Sequence, residues 1–291
     1  MIKANLANLL EPWFSQVYLN GRIPGLIVQD FIQRNNLLIE DLMVGLLPFA
    51  TRYSQAEISH FPVGAVLLGE SGSLYLGANY EFPGNHLALS IHAEQAAVIN
   101  ARCHQESGIV KMALTHYPCG FCRQFLQEVC DPLKLTFILK DQKDLSLQKL
   151  LPMAFSAIDM KVDADFWNPG KKSLLIDVSN PLELAAVQAA QISYAPYTHA
   201  YAGIAVELKN GDIYSSCYLE NAAFNPSVLS ISSVCSVLAT RGISLEQIEN
   251  VCLMQCADSV IDQVNCTQAV MMSNVPDAKL YVKLCQQQFP P

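Results

Sequence analysis

The hydrophobic positions in residues 1–47 recur at the spacing of amphipathic helices. Two such series are present, and their members are Leu6, Leu9, Leu10, Trp13 and Phe14, then Ile27, Phe31, Leu37, Leu38, Leu42 and Leu46. Turn-forming residues at 21–25 separate the two series. The spacing therefore predicts at least two helices in an N-terminal helical segment, residues 1–47, which we expect to be an appendage or an interface with a second copy.

From about residue 48 the pattern changes to short apolar runs that alternate with turns and helices. The expected elements are, in order, strands at 61–68 and 74–79, helices and strands alternating at 91–102, 110–115 and 119–130, and a last strand at 135–139. We expect Ser90 to cap the first of these helices. The order β-β-α-β-α-β predicts an α/β fold, a mixed sheet flanked by helices in three layers, α/β/α.

The strand pattern then returns after a break. Residues 151–185 contain turn-forming residues and are predicted to be a connector. Residues 202–220 can be laid over 62–81 with one gap, and Thr198 repeats the position of Ser59. The sequence therefore predicts an internal duplication.

Composition narrows the class of protein. Hydrophobic residues make up 51% of the chain and charged residues only 15%, so the chain is more apolar than a usual soluble domain. We expect more buried surface than usual, for example in a permanent dimer interface. The formal net charge is −8, with Lys and Arg scattered. This balance disfavours polynucleotides, which are held largely through phosphate neutralisation, and favours a small neutral substrate.

The expected compartment is the cytoplasm. No run of about 18 apolar residues is present, so no membrane-spanning helix is predicted. The first residues lack the basic and then apolar pattern of a secretion signal. The ten cysteines are therefore expected to be free thiols or metal ligands rather than disulfides.

Three candidate metal ligands, His92, Cys119 and Cys122, accompany one carboxylate, Glu94. A structural zinc site normally takes four protein ligands, whereas a catalytic site keeps one position open. Three ligands with a nearby acid or base therefore indicate a catalytic site. Together with Pro118 they match H-x-E…P-C-x-x-C, the signature of zinc nucleobase deaminases.

The spacing also predicts where these side chains lie. Cys119 is expected in the first turn of a helix, where the macrodipole lowers a thiol pKa. His92 and Glu94 are two positions apart, about 200° on a helix, so they share a site only at a helix N-terminus. Two helix N-termini should therefore face one zinc ion, which would lower the pKa of water towards ~7 while Glu94 acts as base and then as acid.

Two further positions bear on the metal. Arg123 follows Cys122, and it is expected either to donate hydrogen bonds to a thiolate or to be a surface residue. In the second copy, counting places Ile231 and Ser233 where the histidine and the carboxylate would stand. The second copy should therefore keep the fold and lack the metal, giving one zinc ion per chain.

The chain resembles the two-domain, homodimeric bacterial cytidine deaminases over most of its length. The segments that carry the resemblance are 61–65, 77–82, 92–95, 118–125 and 220–226. The resemblance implies hydrolytic deamination of cytidine and deoxycytidine in pyrimidine salvage. Together with the patterns described above, it predicts four parts: the helical segment 1–47, a catalytic zinc domain at 48–150, the connector 151–185 and a degenerate repeat at 186–291.

The resemblance assigns substrate contacts as well. Asn79 and Glu81 should bind the ribose, chiefly its 3′-hydroxyl, and Phe61 should pack on the pyrimidine ring. The backbone of Ala93, with that of Cys119, should contact the amide edge of the base. Phe224 is the candidate for a residue that reaches the active site of the partner subunit, the alternative being an ordinary core aromatic.

Three functions compete at this stage. The first is deamination of a free nucleoside. The second is a zinc deaminase that acts on a nucleotide or a polynucleotide. A phosphate-bearing substrate would need a basic cluster, and the basic residues near the motif are mainly Arg102 and Arg123. The third is a non-catalytic, zinc-stabilised interaction protein, whose fourth ligand would have to be His116 or Cys103.

Overall fold

The computed structural model describes residues 2–18, 20–139 and 142–287. The chain divides into two compact units. The first comprises the described residues within Met1–Tyr80, His92–Ala154 and Ala239–Arg241, and the second those within Glu81–Ile91, Phe155–Leu238 and Gly242–Pro291. None of the described helices combines the length and the apolar character that crossing a membrane requires.

Three helices open the first unit: α1 (Ile2–Val17), α2 (Gly25–Asn35) and α3 (Ile39–Thr51). Their buried faces follow the predicted apolar spacing. Leu10 of α1, Phe31 of α2 and Leu46 of α3 belong to one hydrophobic cluster that also contains residues of the first sheet. The helical segment is thus part of the core of the first unit, and it does not stand apart as an appendage.

The first sheet has six strands in the order β1-β3-β2-β4-β5-β6. Their bounds are β1 (Arg22–Ile23), β2 (Gly64–Gly69), β3 (Leu74–Ala78), β4 (Ile109–Leu114), β5 (Thr136–Leu139) and β6 (Gln142–Ser146). β2 and β3 form the predicted hairpin, β2 is antiparallel to β4, and β4 is parallel to β5. The sheet is therefore mixed, as predicted, and the two short edge strands β1 and β6 extend it.

The pairing pattern brings two helix starts to one edge of the sheet. Because β3 and β4 are both antiparallel to β2, they run in the same direction and end at the same edge. α4 (Ala93–Cys103) comes after β3, and α5 (Gly120–Val129) comes after β4. Both helices therefore begin near the edge where these strands end. The short helix α6 (Leu147–Leu150) follows β6.

The second unit repeats this order. It contains β7 (Leu174–Leu175), α7 (Pro181–Gln191), β8 (Ala202–Leu208), β9 (Ile213–Cys217), α8 (Ser230–Ala239), β10 (Ile248–Cys256), α9 (Val264–Asn274) and β11 (Lys279–Gln287). The sheet order is β7-β11-β10-β8-β9, with β10 parallel to β11 and antiparallel to β8. The last residue of α8, Ala239, clusters with the first unit.

The predicted duplication is confirmed in detail. Gln55 donates its N–H to the Asn79 carbonyl at 2.9 Å, and Tyr194 donates to the Tyr218 carbonyl at 3.1 Å in the same place of the second sheet. His60 and His199 then adopt left-handed backbone conformations, with φ of 53° and 56°. The boundaries predicted at residues 47, 150 and 185 stay predictions.

Candidate metal centre

His92, Cys119 and Cys122 form a cluster in the first unit. The Nδ1 atom of His92 lies 3.4 Å from Sγ of Cys119 and 3.3 Å from Sγ of Cys122. All three donor atoms lie within 4.8 Å of one another. The structure thus brings together three residues that are up to 30 positions apart in the sequence.

Each ligand sits at a helix start for a local reason. His92 is the N-cap of α4, and its N–H donates to Gln95 Oε1 at 3.1 Å in a capping box. Ser90 was expected in this role, but α4 begins at Ala93, so the cap is two residues later. Cys119 is the N-cap of α5, and its sulfur accepts the Cys122 N–H at 3.5 Å.

The donor set fits a zinc ion. A tetrahedral site with usual zinc bond lengths separates imidazole nitrogen from thiolate sulfur by about 3.6 Å, close to the 3.4 Å and 3.3 Å found here. Two sulfurs and one imidazole nitrogen are the soft and borderline ligands that favour zinc. Among the described residues, neither His116 nor Cys103 belongs to the cluster, so the alternative of a structural zinc knuckle has no fourth ligand from them.

The two thiols differ in acidity. The pKa of Cys119 is lowered to about 3, chiefly because its sulfur accepts a hydrogen bond from the Cys122 thiol, with His92 and the helix start adding to the effect. The pKa of Cys122 is raised well above its ordinary value by the same hydrogen bond and by burial. Metal binding requires deprotonated cysteine ligands, and the low pKa of Cys119 favours that form.

Glu94 lies one residue into α4 and is only 5% exposed. Burial raises its pKa, and a hydrogen bond with the Cys122 thiol acts in the opposite direction. A carboxyl group whose pKa moves towards neutrality can both accept and donate a proton at physiological pH. Its place at the start of α4 beside the ligand cluster is compatible with proton transfer, and that role stays a prediction.

The predicted base-packing residue lies open to solvent. Phe61 is 51% exposed, and its ring lies against the imidazole of His116 with 4.5 Å between the ring centroids. Ser59 Oγ accepts its N–H at 3.1 Å. An exposed aromatic ring of this kind can pack on a planar ligand.

Asn79 follows β3 and is 8% exposed. Its side chain binds the segment that carries Phe61: Oδ1 accepts hydrogen bonds from Ser54 Oγ at 2.6 Å and from Val63 N at 2.9 Å. Nδ2 donates to the Phe61 carbonyl at 3.1 Å. The amide thus holds residues 61–63 beside the end of β3. Its predicted contact with a ribose stays a prediction.

Two more predicted substrate contacts can be placed by their elements. Ala93 is fully buried as the first residue of α4, and the N–H groups of a first helical turn have no acceptor within the helix. Glu81 is half-buried and belongs to a segment that clusters with the second unit. The ligand contacts predicted for both residues stay predictions.

Arg123 is held by backbone carbonyls. Its Nε donates to the Pro118 oxygen at 2.8 Å, and its Nη1 donates to the Leu150 oxygen at 3.0 Å. Because Pro118 precedes Cys119, these bonds brace the loop that carries the first sulfur. Arg123 is partly exposed on α5, and both alternatives raised by the sequence, a thiolate donor and a surface arginine, stay predictions.

In the second unit, α8 and α9 hold the places of α4 and α5. Ile231 is buried in the core, and Ser233 Oγ pairs with Ser216 Oγ at 2.5 Å. The two helix starts are joined by an amide: Gln263, which precedes α9, accepts the N–H of Ser230 at 2.9 Å through Oε1. The sequence pattern did not point to this bridge, because glutamine has no motif of its own.

Phe224 belongs to the second unit. It is 54% exposed and adopts a left-handed backbone conformation with φ of 60°. Its ring makes an edge contact with Tyr197 at 6.4 Å between the centroids. Phe224 is therefore not an ordinary core aromatic, and its contact with a partner subunit stays a prediction.

Comparison with known proteins gives consistent matches. Residues 39–137 and 147–268 each match the family described as the cytidine and deoxycytidylate deaminase zinc-binding region. The match in both halves agrees with the duplication seen in the two sheets.

Two similar proteins are cytidine deaminases. One from Vibrio cholerae is 37% identical over 252 residues, 87% of this chain and 85% of the relative. One from Photobacterium profundum is 33% identical over 279 residues, 96% of this chain and 95% of the relative. Among solved structures, the cytidine deaminase of Mycobacterium tuberculosis is 27% identical and covers 40% of this chain and 96% of its own, with a TM-score of 0.37.

Proposed function

Because the chain belongs to the cytidine and deoxycytidylate deaminase family, we propose that it hydrolyses cytidine and deoxycytidine to uridine and deoxyuridine with release of ammonia. One observation carries the proposal: three zinc-type donors converge at two helix starts beside a buried carboxyl group, Glu94. A site with three protein ligands leaves room for water, which a structural site does not need.

His92 Nδ1, Cys119 Sγ and Cys122 Sγ would hold the zinc ion. Zinc in such a site lowers the pKa of water towards ~7 and so supplies a nucleophile at neutral pH. Both thiolates are favoured at the start of α5, where the first-turn N–H groups and the macrodipole stabilise negative charge.

Glu94 moves the protons of the reaction. The attacking water loses a proton to a Glu94 oxygen, and the carboxyl group then delivers that proton to a ring nitrogen of the pyrimidine. Glu94 then takes the second proton of the added water as the new C=O forms and delivers it to the amine, which leaves as ammonia, so the same group acts as base and as acid. Burial raises the pKa of Glu94, which makes its protonated form accessible in the second role.

The substrate is expected to lie between the metal cluster and the 61–63 segment. Phe61 packs on the pyrimidine ring, and the backbone groups of Ala93 and Cys119 bind the amide edge of the base. Asn79 and Glu81 bind the ribose, chiefly the 3′-hydroxyl. An amide donor and a carboxylate acceptor together match a hydroxyl, which donates one hydrogen bond and accepts others.

We further propose that the enzyme works as a cytoplasmic homodimer in pyrimidine salvage. The predicted organisation is the helical segment 1–47, a catalytic domain at 48–150, a connector at 151–185 and a non-catalytic repeat at 186–291. The exposure of Phe224 supports its role as the residue that reaches the active site of the other subunit.

The test is ultraviolet absorbance of the purified protein with cytidine, deoxycytidine and CMP in parallel. Conversion of both nucleosides, lost after chelation and restored by zinc, is expected, with no conversion of CMP. Turnover of CMP alone would move the substrate to the nucleotide class. Absence of turnover by protein that contains one zinc ion per chain would contradict the enzymatic proposal.

A further inference from the structure

We propose that Ser54 is a positioning residue that fixes the orientation of the Asn79 amide and thereby sets how well the enzyme distinguishes a ribose 3′-hydroxyl. This inference rests on the proposed function, in which Asn79 contacts the sugar. Ser54 carries no motif, and it lies just beyond the end of α3, where its N–H donates to the Thr51 carbonyl at 3.1 Å.

The contacts show how the amide is held. Ser54 Oγ donates to Asn79 Oδ1 at 2.6 Å, and Val63 N donates to the same oxygen at 2.9 Å. Nδ2 points to the Phe61 carbonyl at 3.1 Å. A carbonyl oxygen has two lone pairs, so these two donors fill the acceptor capacity of Oδ1. Asn79 therefore presents its N–H side, and not its oxygen, to a ligand beside it.

The backbone of Asn79 adds to the same support. Its carbonyl accepts the Gln55 N–H at 2.9 Å, and its N–H donates to the Val63 carbonyl at 3.3 Å. The residue thus ties both ends of the 55–63 segment to β3. Within this arrangement the Ser54 hydroxyl is a side-chain donor that one substitution can remove without altering the backbone bonds.

The second unit provides an internal comparison. Ser193 stands where Ser54 stands, and its N–H also donates to the end of the preceding helix, to the Ala190 carbonyl at 3.1 Å. Tyr218 replaces the asparagine there. The Ser193 hydroxyl turns back and donates to the Ala190 carbonyl at 2.7 Å. The outward direction of the Ser54 hydroxyl is therefore tied to the presence of Asn79, and not to the helix end itself.

Removal of the Ser54 hydroxyl takes away one of the hydrogen bonds that hold Oδ1. The Val63 N–H and the Phe61 carbonyl still favour the same amide orientation, so the expected change is an amide held less firmly, whose N–H side meets the sugar in fewer of its conformations. The expected result is a weaker preference for substrates that carry the 3′-hydroxyl. The chemistry at the metal cluster does not involve this bond, so kcat for cytidine should change little.

The experiment compares Ser54→Ala, Ser54→Thr and Thr51→Val in the full-length, zinc-loaded enzyme. Thr51 is a matched control, because its hydroxyl donates only locally, to the Leu47 carbonyl at 2.9 Å. For each variant, kcat and KM are measured with cytidine and 3′-deoxycytidine, and Kd is measured by calorimetry with uridine and 3′-deoxyuridine. Ser54→Cys, a weak donor of similar size, carries the test if the alanine variant does not fold.

Ser54→Ala should lower the preference for cytidine over 3′-deoxycytidine by about 3- to 10-fold, the effect of one hydrogen bond. The loss should appear in KM, with kcat within twofold of wild type. Ser54→Thr should restore the preference, and Thr51→Val should not change it. The Kd ratio for the two uridine compounds should follow the same order.

An unchanged preference in Ser54→Ala, whatever its stability, would overturn the inference, and so would a wild-type enzyme that does not distinguish the two sugars. Failure of the proposed function would look different, because the wild type would not convert cytidine at all. The Kd ratios do not require turnover, so they decide the role of Ser54 in that case too.

Discussion

Glu94 is buried at the start of α4, and burial raises the pKa of its carboxyl group. It is not one of the three clustered donors. Its environment therefore separates proton transfer from metal binding, and the two functions can be tested by different substitutions.

Glu94→Gln should reduce kcat for cytidine by about 10²- to 10⁴-fold, the usual contribution of a positioned acid or base. Zinc content should stay near that of the wild type, because the amide removes no ligand. Steady-state kinetics and metal analysis of the same preparation check this. The exposed Glu57→Gln is the control and should be fully active; loss of zinc together with activity in Glu94→Gln would contradict the separation of roles.

A second acidic residue, Glu183, links α7 to β11. Lys283 Nζ lies 2.8 Å from its Oε1, and Ser179 donates to Oε2 through both its N–H and its hydroxyl. These contacts lower the pKa of Glu183 to about 2, with Lys283 as the largest cause. Because the folded pKa is below the unfolded value of about 4.3, the charged contact stabilises the folded protein at neutral pH and is lost as the pH falls.

Glu183→Gln should therefore lower the free energy of unfolding by roughly 1–3 kcal/mol at pH 6. The difference from wild type should shrink as the pH falls from about 4.3 to about 2 and should vanish below that. Urea unfolding of both proteins across this range measures it, with the exposed Asp212→Asn as a control. A difference that stays constant with pH would show that the contact is not charge-dependent.

At the scale of elements, the distance between β3 and α4 fixes where His92 and Glu94 stand. Gly77 is the point of closest approach: a Cβ atom there would lie 2.3 Å from both the Ala93 carbonyl and the Ala97 nitrogen. Both are backbone atoms of a helix, so a side chain can be accommodated only if α4 moves. In the second unit, Gly203 of β8 makes a similarly close approach to a different helix, α7, with 2.2 Å to the Ala190 nitrogen.

Gly77→Ala should therefore shift α4 from the sheet and disturb the metal cluster. We expect at least a tenfold loss of zinc affinity and destabilisation of about 1–3 kcal/mol. Gly120→Ala is the matched control, because nothing lies within 4 Å of the added Cβ although it adjoins Cys119. Competition with a chromogenic chelator and thermal unfolding measure both effects; equal zinc affinity in the two variants would contradict the argument.

The sequence predicted the elements whose signals are local. The β2–β3 hairpin, α4, α5 and the ligand set follow from short-range periodicity and from spacings within one motif. The edge strands β1 and β6 were missed. β1 has only two residues beside turn-formers, and it exists because it pairs with β3, a contact distant in the sequence.

At the site, the missed contacts are likewise non-local. The Ser54–Asn79 bond spans 25 positions and the Ser230–Gln263 bond spans 33. Neither pair of residues belongs to a recognisable sequence motif, so these two hydrogen bonds become apparent only in the folded structure. The Gln95 contact with His92 could have been found, because glutamine three residues after an N-cap is the spacing of a capping box.

At the scale of the whole molecule, two units of the same topology hold their equivalent helix starts together by different means. In the first unit, three metal-type ligands meet. In the second, the amide of Gln263 accepts the first N–H of α8, and both Gln263 and Ser230 are fully buried. Loss of a buried hydrogen bond leaves the remaining partner desolvated and unpaired.

Gln263→Leu should therefore destabilise the protein by about 1–3 kcal/mol without changing the metal content, which we expect to be one zinc ion per chain in both proteins. Atomic absorption and thermal unfolding check the two parts. Exposed Gln268→Leu on the same helix is the control. Two zinc ions per wild-type chain, or loss of zinc in Gln263→Leu, would contradict this division between the units.

The backbone conformations of His60 and His199 bear on the thermal stability of the protein. Both histidines hold left-handed backbone conformations, which cost an ordinary residue roughly 1–2 kcal/mol. The same conformation occurs at the equivalent position of the second unit, where the described residues form no cluster of metal ligands. The turn is therefore a feature of the fold and is not specific to the metal-binding copy. Asparagine at His199, in the second unit and far in sequence from the ligands, should relieve the cost and raise the melting temperature, whereas His60 adjoins Phe61 and is better left unchanged.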